Sequence, residues 1–409
     1  MFSPLLSRST QIGPEARTAP TSASECVDDG KLTFEFVTDL IGLMTLQSEW
    51  DELFERHGRA HQCFQTHAWS RHWCSYYIGT GTWGPEQIAV VIARRHGQVV
   101  LICPLAVYRR AGLVTLRWMG APVGQYGDVL VADVADPKAL IGRALAFAAA
   151  QTGADIFNLQ KVRADSQVAP VLQSQGASAI NETSAPYIDL SAASCYDDYA
   201  KRLSRNGRKQ RLRRRRRLAA HGPLRLLHLE PGRDAAREVA ITIEEKLEQL
   251  QRGSTIPVAI ADPSFRAFFR SIAASADPTT TCSVSLLICG DQVIAREVGL
   301  TCHGGYLAHI GTYDQAYRSY SPGILLIDDM IAQCCAQGIS RYDLLPPNAS
   351  YKTAIADGEV AVCDYVHPLT VAGAVYANSV VKVAVPVLRN IKNAVPAVRG
   401  ALSRAGVLW

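Results

Sequence analysis

Alternating apolar and polar side chains in T-F-E-F-V, Thr33 to Val37, mark a first strand. Two helical stretches follow. The first runs near Thr45 to His57, with Leu46, Trp50, Leu53 and Phe54 on one face. The second starts at Thr66, a residue suited to cap a helix, and carries Trp69, Trp73 and Tyr77 at four-residue spacing. The period then drops to two. Strands are expected at Ile88–Arg94, Val99–Tyr108, Leu113–Trp118 and Asp128–Ala132, with a His96-Gly97 turn between the first two. Asp136-Pro137 opens a helix to about Gln151, a strand follows at Asp155–Gln160, and a short helix at Ser166–Gln175.

After Leu190 the same order returns. A basic helix near Tyr196–His221 leads to a strand at Leu224–Leu229, then helices near Arg233–Gln251 and Pro263–Ala274. Three strands joined by tight turns come next: Ser283–Cys289, Gln292–Leu300 and Gly305–Thr312. A helix from Pro322 to Gln337 stops at Gly338, and Tyr342–Leu345 and Val360–Leu369 complete the unit. Because a helix crosses between them, Tyr342–Leu345 must lie parallel to Gly305–Thr312. The repeat is one of pattern, not of residues. It predicts an α+β protein of two tandem lobes, 31–190 and 191–370, each a mixed sheet flanked by helices.

The 409-residue length and 48% apolar content suit two such lobes. Residues 1–30, rich in Ser, Thr, Pro and Ala and without an export signal, read as a disordered leader. No stretch reads as a membrane span; the closest, Val371–Leu388, is interrupted by Asn378, Lys382 and Pro386. The eleven cysteines include no C-x-x-C pair, so neither a metal nor disulfides are expected, and a reducing cytoplasmic setting is. The net charge of +5 has one source: beyond Asp364 there is no acid, while Lys382, Arg389, Lys392, Arg399 and Arg404 are basic. At 100° per residue these five fall within an arc of roughly 140°. A basic amphipathic tail, 371–409, is therefore expected, either resting on an anionic membrane face or packed on the body.

The segment Gly305–Ile331 carries the clearest chemistry. A strand feeds through a short loop into a helix with Ser321 at the N-cap, Pro322 at the first position and Gly323 open to close approach. Free N–H groups and the helix dipole make such a terminus an anion site fit for a pyrophosphate, or simply a well-capped helix that binds nothing. F-Q-T-H-A-W-S-R-H-W (Phe64–Trp73), the Arg-rich helix, Y-D-Q-A-Y-R-S-Y-S-P-G-I-L-L (Tyr313–Leu326) and Y-D-L-L-P-P-N-A-S-Y-K (Tyr342–Lys352) together resemble the GNAT superfamily of acyltransferases. The likeness is sharpest to its CelD-type branch, linked to cellulose and exopolysaccharide production, and extends to the two-lobe FemAB transferases. It covers roughly residues 31–370.

The resemblance implies acetyl-CoA or another acyl-CoA as co-substrate, with Tyr320, Ser321, Pro322, Gly323 and Ile324 around its pyrophosphate. It also implies that pantetheine runs along His309, Ile310, Gly311 and Thr312. Unlike the commoner loop of that superfamily, this one has a single glycine, Gly323. The corresponding first-lobe loop, Asp133–Lys138, places two aspartates where phosphate would sit, so that lobe is expected to shape the acceptor site instead. Amine acylation needs a base, an oxyanion donor and an acid for the thiolate. Glu297 and His309 are candidate bases, with Asp343 a further possibility. A backbone N–H near His309–Gly311 could face the oxyanion; Tyr351 and Lys352 could serve as proton donor and oxyanion stabiliser. Each has an ordinary alternative: an ion pair for Glu297, a core hydrogen bond for His309, helix surface for Tyr351 and Lys352. The run Lys201–Arg217 could meet an anionic acceptor, could be a solvated face balanced by acids elsewhere, or could meet RNA. An N-acyltransferase acting on a small-molecule, sugar or lipid amine is the first reading, on the cytoplasmic side of the membrane. An aminoacyl-tRNA-dependent transferase and a non-catalytic assembly partner are the alternatives.

Overall fold

A strand, two helices, a three-strand meander, a crossover helix and a further strand recur in both halves of the molecule. The computed structural model describes residues 24–27, 32–79, 84–252 and 258–384. In the first half the strands are β1 (Ser24–Val27), β2 (Leu32–Val37), β3 (Gln87–Arg95), β4 (Gln98–Arg110), β5 (Leu113–Trp118), the two-residue β6 (Leu130–Val131), β7 (Ile156–Arg163) and β8 (Ser178–Asp189). In the second they are β9 (Leu224–Leu229), β10 (Thr281–Cys289), β11 (Gln292–Cys302), β12 (Gly305–Tyr313), β13 (Arg341–Asp343) and β14 (Gly358–Pro368).

All belong to one sheet, ordered β1-β2-β3-β4-β5-β7-β14-β8-β13-β12-β11-β10-β9, with β6 beside β4. Two pairs are parallel, β5 with β7 and β12 with β13, and each is bridged by a crossover helix, Pro137–Thr152 or Pro322–Ala336. The lobes do not close independently. β8 leaves the first half to pair with β13 (Ile188 opposite Tyr342), and β14 returns from the second to pair with β7 (Tyr365 opposite Leu159). β8 and β14 then pair with each other, which makes the sheet continuous. The expected boundary at 190/191 therefore divides the sequence, while in space each lobe takes its closing strand from the other.

Packing follows the same logic. The helices Gln47–His57 and His67–Tyr77 meet Arg233–Arg252 and Pro263–Ala274 in one apolar cluster on a single face of the sheet. Trp69 stands 4.7 Å from Phe268 and 6.0 Å from Phe269, centroid to centroid. Thr66 caps its helix as expected, accepting from Trp69 N. The indoles are also anchored: Trp50 Nε1 donates to Gln65 O and Trp73 Nε1 to Ala121 O, both at 2.9 Å. Rings of this kind each remove on the order of 150–250 Å² from water, so the lobes share one core and do not slide as separate domains.

Two expectations need correction, one strand was not anticipated, and one expectation falls mostly outside the described residues. Ser24–Val27, inside the supposed leader, is a strand against β2. β8 is not signalled by the sequence. The basic helix breaks into Tyr196–Arg202 and Arg205–Ala219, because Leu203 is extended and Ser204 caps the second piece by accepting from Gly207 N. The tail opens with a short helix, Val371–Tyr376, and a π-helical stretch, Ala377–Ala384; the remaining basic residues, Arg389 to Arg404, lie outside the described residues. No described helix is long and apolar enough to cross a membrane.

Candidate active site

β13 ends at Asp343, opposite Leu307, whereas β12 runs on to Tyr313. Past Leu307 the two parallel strands part, and the edge of β12 from Ala308 to Tyr313 on that side has no strand partner among the described residues. A bulge sharpens the parting: Val298 pairs with Ile310 and Gly299 with Ala308, so His309 is an extra residue whose backbone has no partner across the ladder. The crossover helix begins at the end of this edge. Ser321 occupies the N-cap position in a left-handed conformation (φ 53°, ψ 56°), and its side chain makes no capping bond, contrary to expectation. Pro322 has no N–H, and the N–H groups of Ile324 and Leu325 both reach Ser321 O. This leaves the Gly323 N–H with no backbone partner among the described residues. A Cβ at Gly323 would meet only Tyr313 Cδ1, at 3.8 Å, and one at Gly311 only Arg296 O, at 4.0 Å. Two points on the path from the β12 edge to the helix start are thus clear of side chains.

Glu297 lies on β11 opposite Gly311, so its side chain shares a face with a residue that has none. It is 5% exposed, and its Oε1 accepts from Tyr342 OH at 2.5 Å and Tyr306 OH at 3.0 Å. Burial raises its pKa to about 7, although the two phenols favour the ionised form. Glu297 makes no ion pair among the described residues, so the ordinary alternative offered for it does not apply. Tyr351 is 52% exposed, on the short helix Ser350–Thr353, and close enough to Glu297 to feel its charge. Lys352 is tied down by Leu345 O at 2.6 Å and Pro347 O at 3.0 Å.

His309 instead turns into the shared core. Its ring is 4.8 Å from Phe269 and 6.0 Å from Phe64, with Nε2 3.2 Å from Val123 O. Burial lowers its pKa to about 3, which makes it a poor base near neutrality. Ile310 is buried. The Thr312 hydroxyl donates to Glu245 at 2.8 Å, so only the backbone at these two positions can meet a ligand. Asp343 does not face solvent. It accepts from Tyr126 OH at 2.8 Å and from Arg163 NH1 at 3.1 Å, and joins the C-terminal ends of β7 and β13 across the lobes.

Several site residues escape sequence reasoning. Lys246, from the helix Arg233–Arg252, places its Nζ 3.1 Å from Gly311 O, on the open edge itself. Tyr306 and Tyr342, the partners of Glu297, look like ordinary inward-facing strand positions. The Arg-rich helix Arg205–Ala219 lies beside the crossover helix, pairing Arg211 with Asp328 and Arg215 with Asp329. Its end reaches the candidate pyrophosphate loop: Arg217 covers the Tyr320 ring at 5.1 Å, and His221 Nε2 is 2.8 Å from Tyr320 OH. Part of the run is thus a balanced face. No carboxylate comes within ion-pair distance of Arg205, Lys209, Arg213 or Arg216 among the described residues.

Residues 205–353, which contain the candidate site, match the family of acetyltransferase (GNAT) domains. No curated protein matches the chain. Among solved structures, FemX superposes with a TM-score of 0.56 at 11% identity, over 81% of this chain and 98% of that one. A tandem GNAT protein from the clavulanic acid biosynthesis pathway gives 0.44 at 14%, over 82% and 98%. L-PGS from Bacillus licheniformis gives 0.47 at 10%, over 80% and 92%. The chain has the GNAT fold, carries a GNAT acetyltransferase domain at residues 205–353, and is an acyltransferase.

Proposed function

We propose that this protein transfers an acetyl or longer acyl group from a coenzyme A thioester to the amine of a small molecule, sugar or lipid. The observation that carries the reading is the parting of β12 from β13, with an open edge that leads to the unpartnered Gly323 N–H. Pyrophosphate fits at the helix start, where dipole and N–H favour an anion and Arg217 and His221 stand near. Pantetheine amides would pair with the edge at Ile310–Thr312, displacing Lys246 from Gly311 O. The thioester supplies the electrophilic carbonyl. Glu297, ionised above about pH 7, takes the amine proton as the C–N bond forms. The C–S bond breaks, and the Tyr351 hydroxyl supplies a proton to the leaving sulfur. The freed backbone at the His309 bulge offers an N–H to the oxyanion.

The resemblance to CelD-type sequences points this activity toward polysaccharide or envelope synthesis on the cytoplasmic side. Exposed Leu369, Val371 and Val375 at the start of the tail suit contact with a membrane surface. A second reading, transfer from an aminoacyl-tRNA, is favoured by one observation: Arg217, with no carboxylate at ion-pair distance among the described residues, lies over the Tyr320 ring of the donor loop, at the end of an Arg-rich helix. Thermal-shift and native mass measurements of the full chain with acetyl-CoA, longer acyl-CoAs and charged tRNA decide between them. A response to acyl-CoA is expected; a response to charged tRNA alone selects the second reading, and silence from all would leave a non-catalytic GNAT fold.

A further inference from the structure

Three lysines stand near the unpaired edge of β12; among the described residues none has a carboxylate at ion-pair distance, although Asp364 acts on Lys161 and Asp343 on Lys352 from further away. Lys161 extends from β7 at a left-handed backbone position (φ 55°), with Nζ 2.8 Å from Gly124 O and 3.0 Å from Gln125 Oε1. Gly124 is adjacent to Val123, whose carbonyl meets the His309 ring. Lys246 holds Gly311 O, two residues along β12 from His309. Lys352 holds Leu345 O and Pro347 O, where the chain leaves β13. All three are half-buried, and among the described residues no carboxylate comes within ion-pair distance of any of their ammonium groups. Asp343 is committed to Arg163 and Tyr126. Asp364 accepts from the Lys161 backbone N–H and from Asn181.

Gln125 Oε1 and Gln249 Oε1 also accept from Lys161 and Lys246, but a half-buried ammonium held only by neutral carbonyl oxygens is an incompletely compensated charge. Burial pulls Lys161 and Lys352 down to about pKa 8, and Lys246 in the same direction. Lys161 and Lys352 both act on His309, and Lys246 acts on Lys352, so the three charges share one neighbourhood. His309, neutral near pH 7, adds no competing charge there, and its buried Nδ1 has no partner among the described residues. The cluster draws on both lobes: Lys161 comes from the first, Lys246 and Lys352 from the second. Lys161 reaches it where the lobes meet, beside the contact of Val123 O with the His309 ring.

We infer that the lysines form an anion subsite for the acceptor, and that the amine which is acylated carries a carboxylate or phosphate elsewhere in the same molecule. This rests on the N-acyltransferase reading and narrows its substrate class. An acidic group bound by Lys161 and Lys352 would hold the amine over the β12 edge, within reach of the thioester.

Calorimetry on the full chain tests it with paired amines: ethanolamine against phosphoethanolamine, and glucosamine against glucosamine 6-phosphate, with inorganic phosphate as a third probe. At least one acidic member should bind about tenfold or more tightly than its neutral partner, and the pair that responds distinguishes a lipid headgroup from a sugar phosphate. Lys161→Met should remove the preference and Lys161→Arg retain most of it, with coenzyme A affinity unchanged in both. Should Lys161→Met fail to fold, Lys161→Gln, whose amide can still donate to Gly124 O, serves as the second variant. Equal binding of neutral and acidic amines, a preference that survives in the Met or Gln variant, or phosphate that merely competes with coenzyme A would overturn the proposal. The coenzyme A titration stands apart: loss of that binding in the unmutated chain would instead remove the N-acyltransferase reading.

Discussion

The two crossover units share a topology and differ at one point, the start of the helix. In the first lobe Asp136 caps the helix Pro137–Thr152 with its own carboxylate, accepting from Ala139 N at 2.9 Å. In the second lobe Ser321 is turned left-handed, caps nothing, and leaves the Gly323 N–H open. One terminus thus carries its own anion, while the other can receive one. The surroundings follow suit: the second terminus has Arg217 and His221 beside Tyr320. A repeated architecture can divide labour through a single residue, because a carboxylate fixed at a helix start occupies an N–H there and repels a further anion.

The harshest way to break this contrast is to give the second lobe an acid like that of the first. Gly323→Glu should fold, since its Cβ has room and an acid in a first helical turn is tolerated. Coenzyme A affinity should nevertheless fall at least about 100-fold, because like charges at one site cost several kcal/mol. Calorimetry on the folded variant checks this; unchanged affinity would remove the site from Gly323.

Glu297→Gln is next in size. A lost base should lower kcat by about 10²- to 10⁴-fold with coenzyme A affinity nearly intact. In the unmutated enzyme kcat/KM should climb with pH and level off above about 7, where the carboxylate is ionised. Stability runs the other way. The folded pKa is raised above the unfolded value of 4.5, so Glu297 contributes fully below that pH and its contribution is lost as pH passes 7. The Gln variant should therefore gain thermal stability relative to wild type between pH 5 and 8, by up to roughly 3 kcal/mol. A stability gap that does not change with pH would show that Glu297 is ionised throughout or never.

Tyr351→Phe ranks third. Removing the proton donor to the sulfur should reduce kcat about 10- to 100-fold, less than Glu297→Gln because water can reach a residue this exposed. A thioester with a more acidic leaving thiol should recover most of the loss. If KM for the donor rises while kcat holds, Tyr351 binds and does not protonate.

How much of this could be read from residues alone differs by region. The second-lobe meander and its crossover helix were legible because their periods switch cleanly and Pro322, Gly338 and the turn glycines punctuate them. Glu297 was visible as an acid in an apolar strand. β8 was not, since S-A-I-N-E-T-S-A-P-Y-I-D alternates weakly and its first half, although paired with β14 from Ser178 onward, is poorly buried. The strand exchange was hidden for the same reason: β14 reads as a strand, but nothing in its composition names β7 as neighbour. Ser321 misled because a serine before proline predicts a side-chain cap, whereas the short turn of Gln315–Tyr320 forces a left-handed backbone there. Lys246 could not be found locally, because on its helix it is one more exposed cation until the fold lays it on Gly311.

The smallest effect sharpens the comparison from the other side. Asp136 does for the first lobe what a bound phosphate would do for the second, so Asp136→Ala should cost about 1 kcal/mol of stability, as loss of an N-cap does. It should leave acyl-CoA affinity and kcat unchanged, because the first-lobe terminus takes no part in donor binding. Denaturant unfolding gives the first value and calorimetry the second. Asp136→Ser should restore most of the stability, since a hydroxyl can also accept from Ala139 N. The informative result would be a variant that gains affinity for coenzyme A or inorganic phosphate at a second site. That gain would mean the aspartate alone keeps the first terminus closed to anions, and that the division of labour between the lobes rests on one carboxylate. With no second site, the closure lies deeper, in the shape of the loop from Asp133 to Lys138 itself.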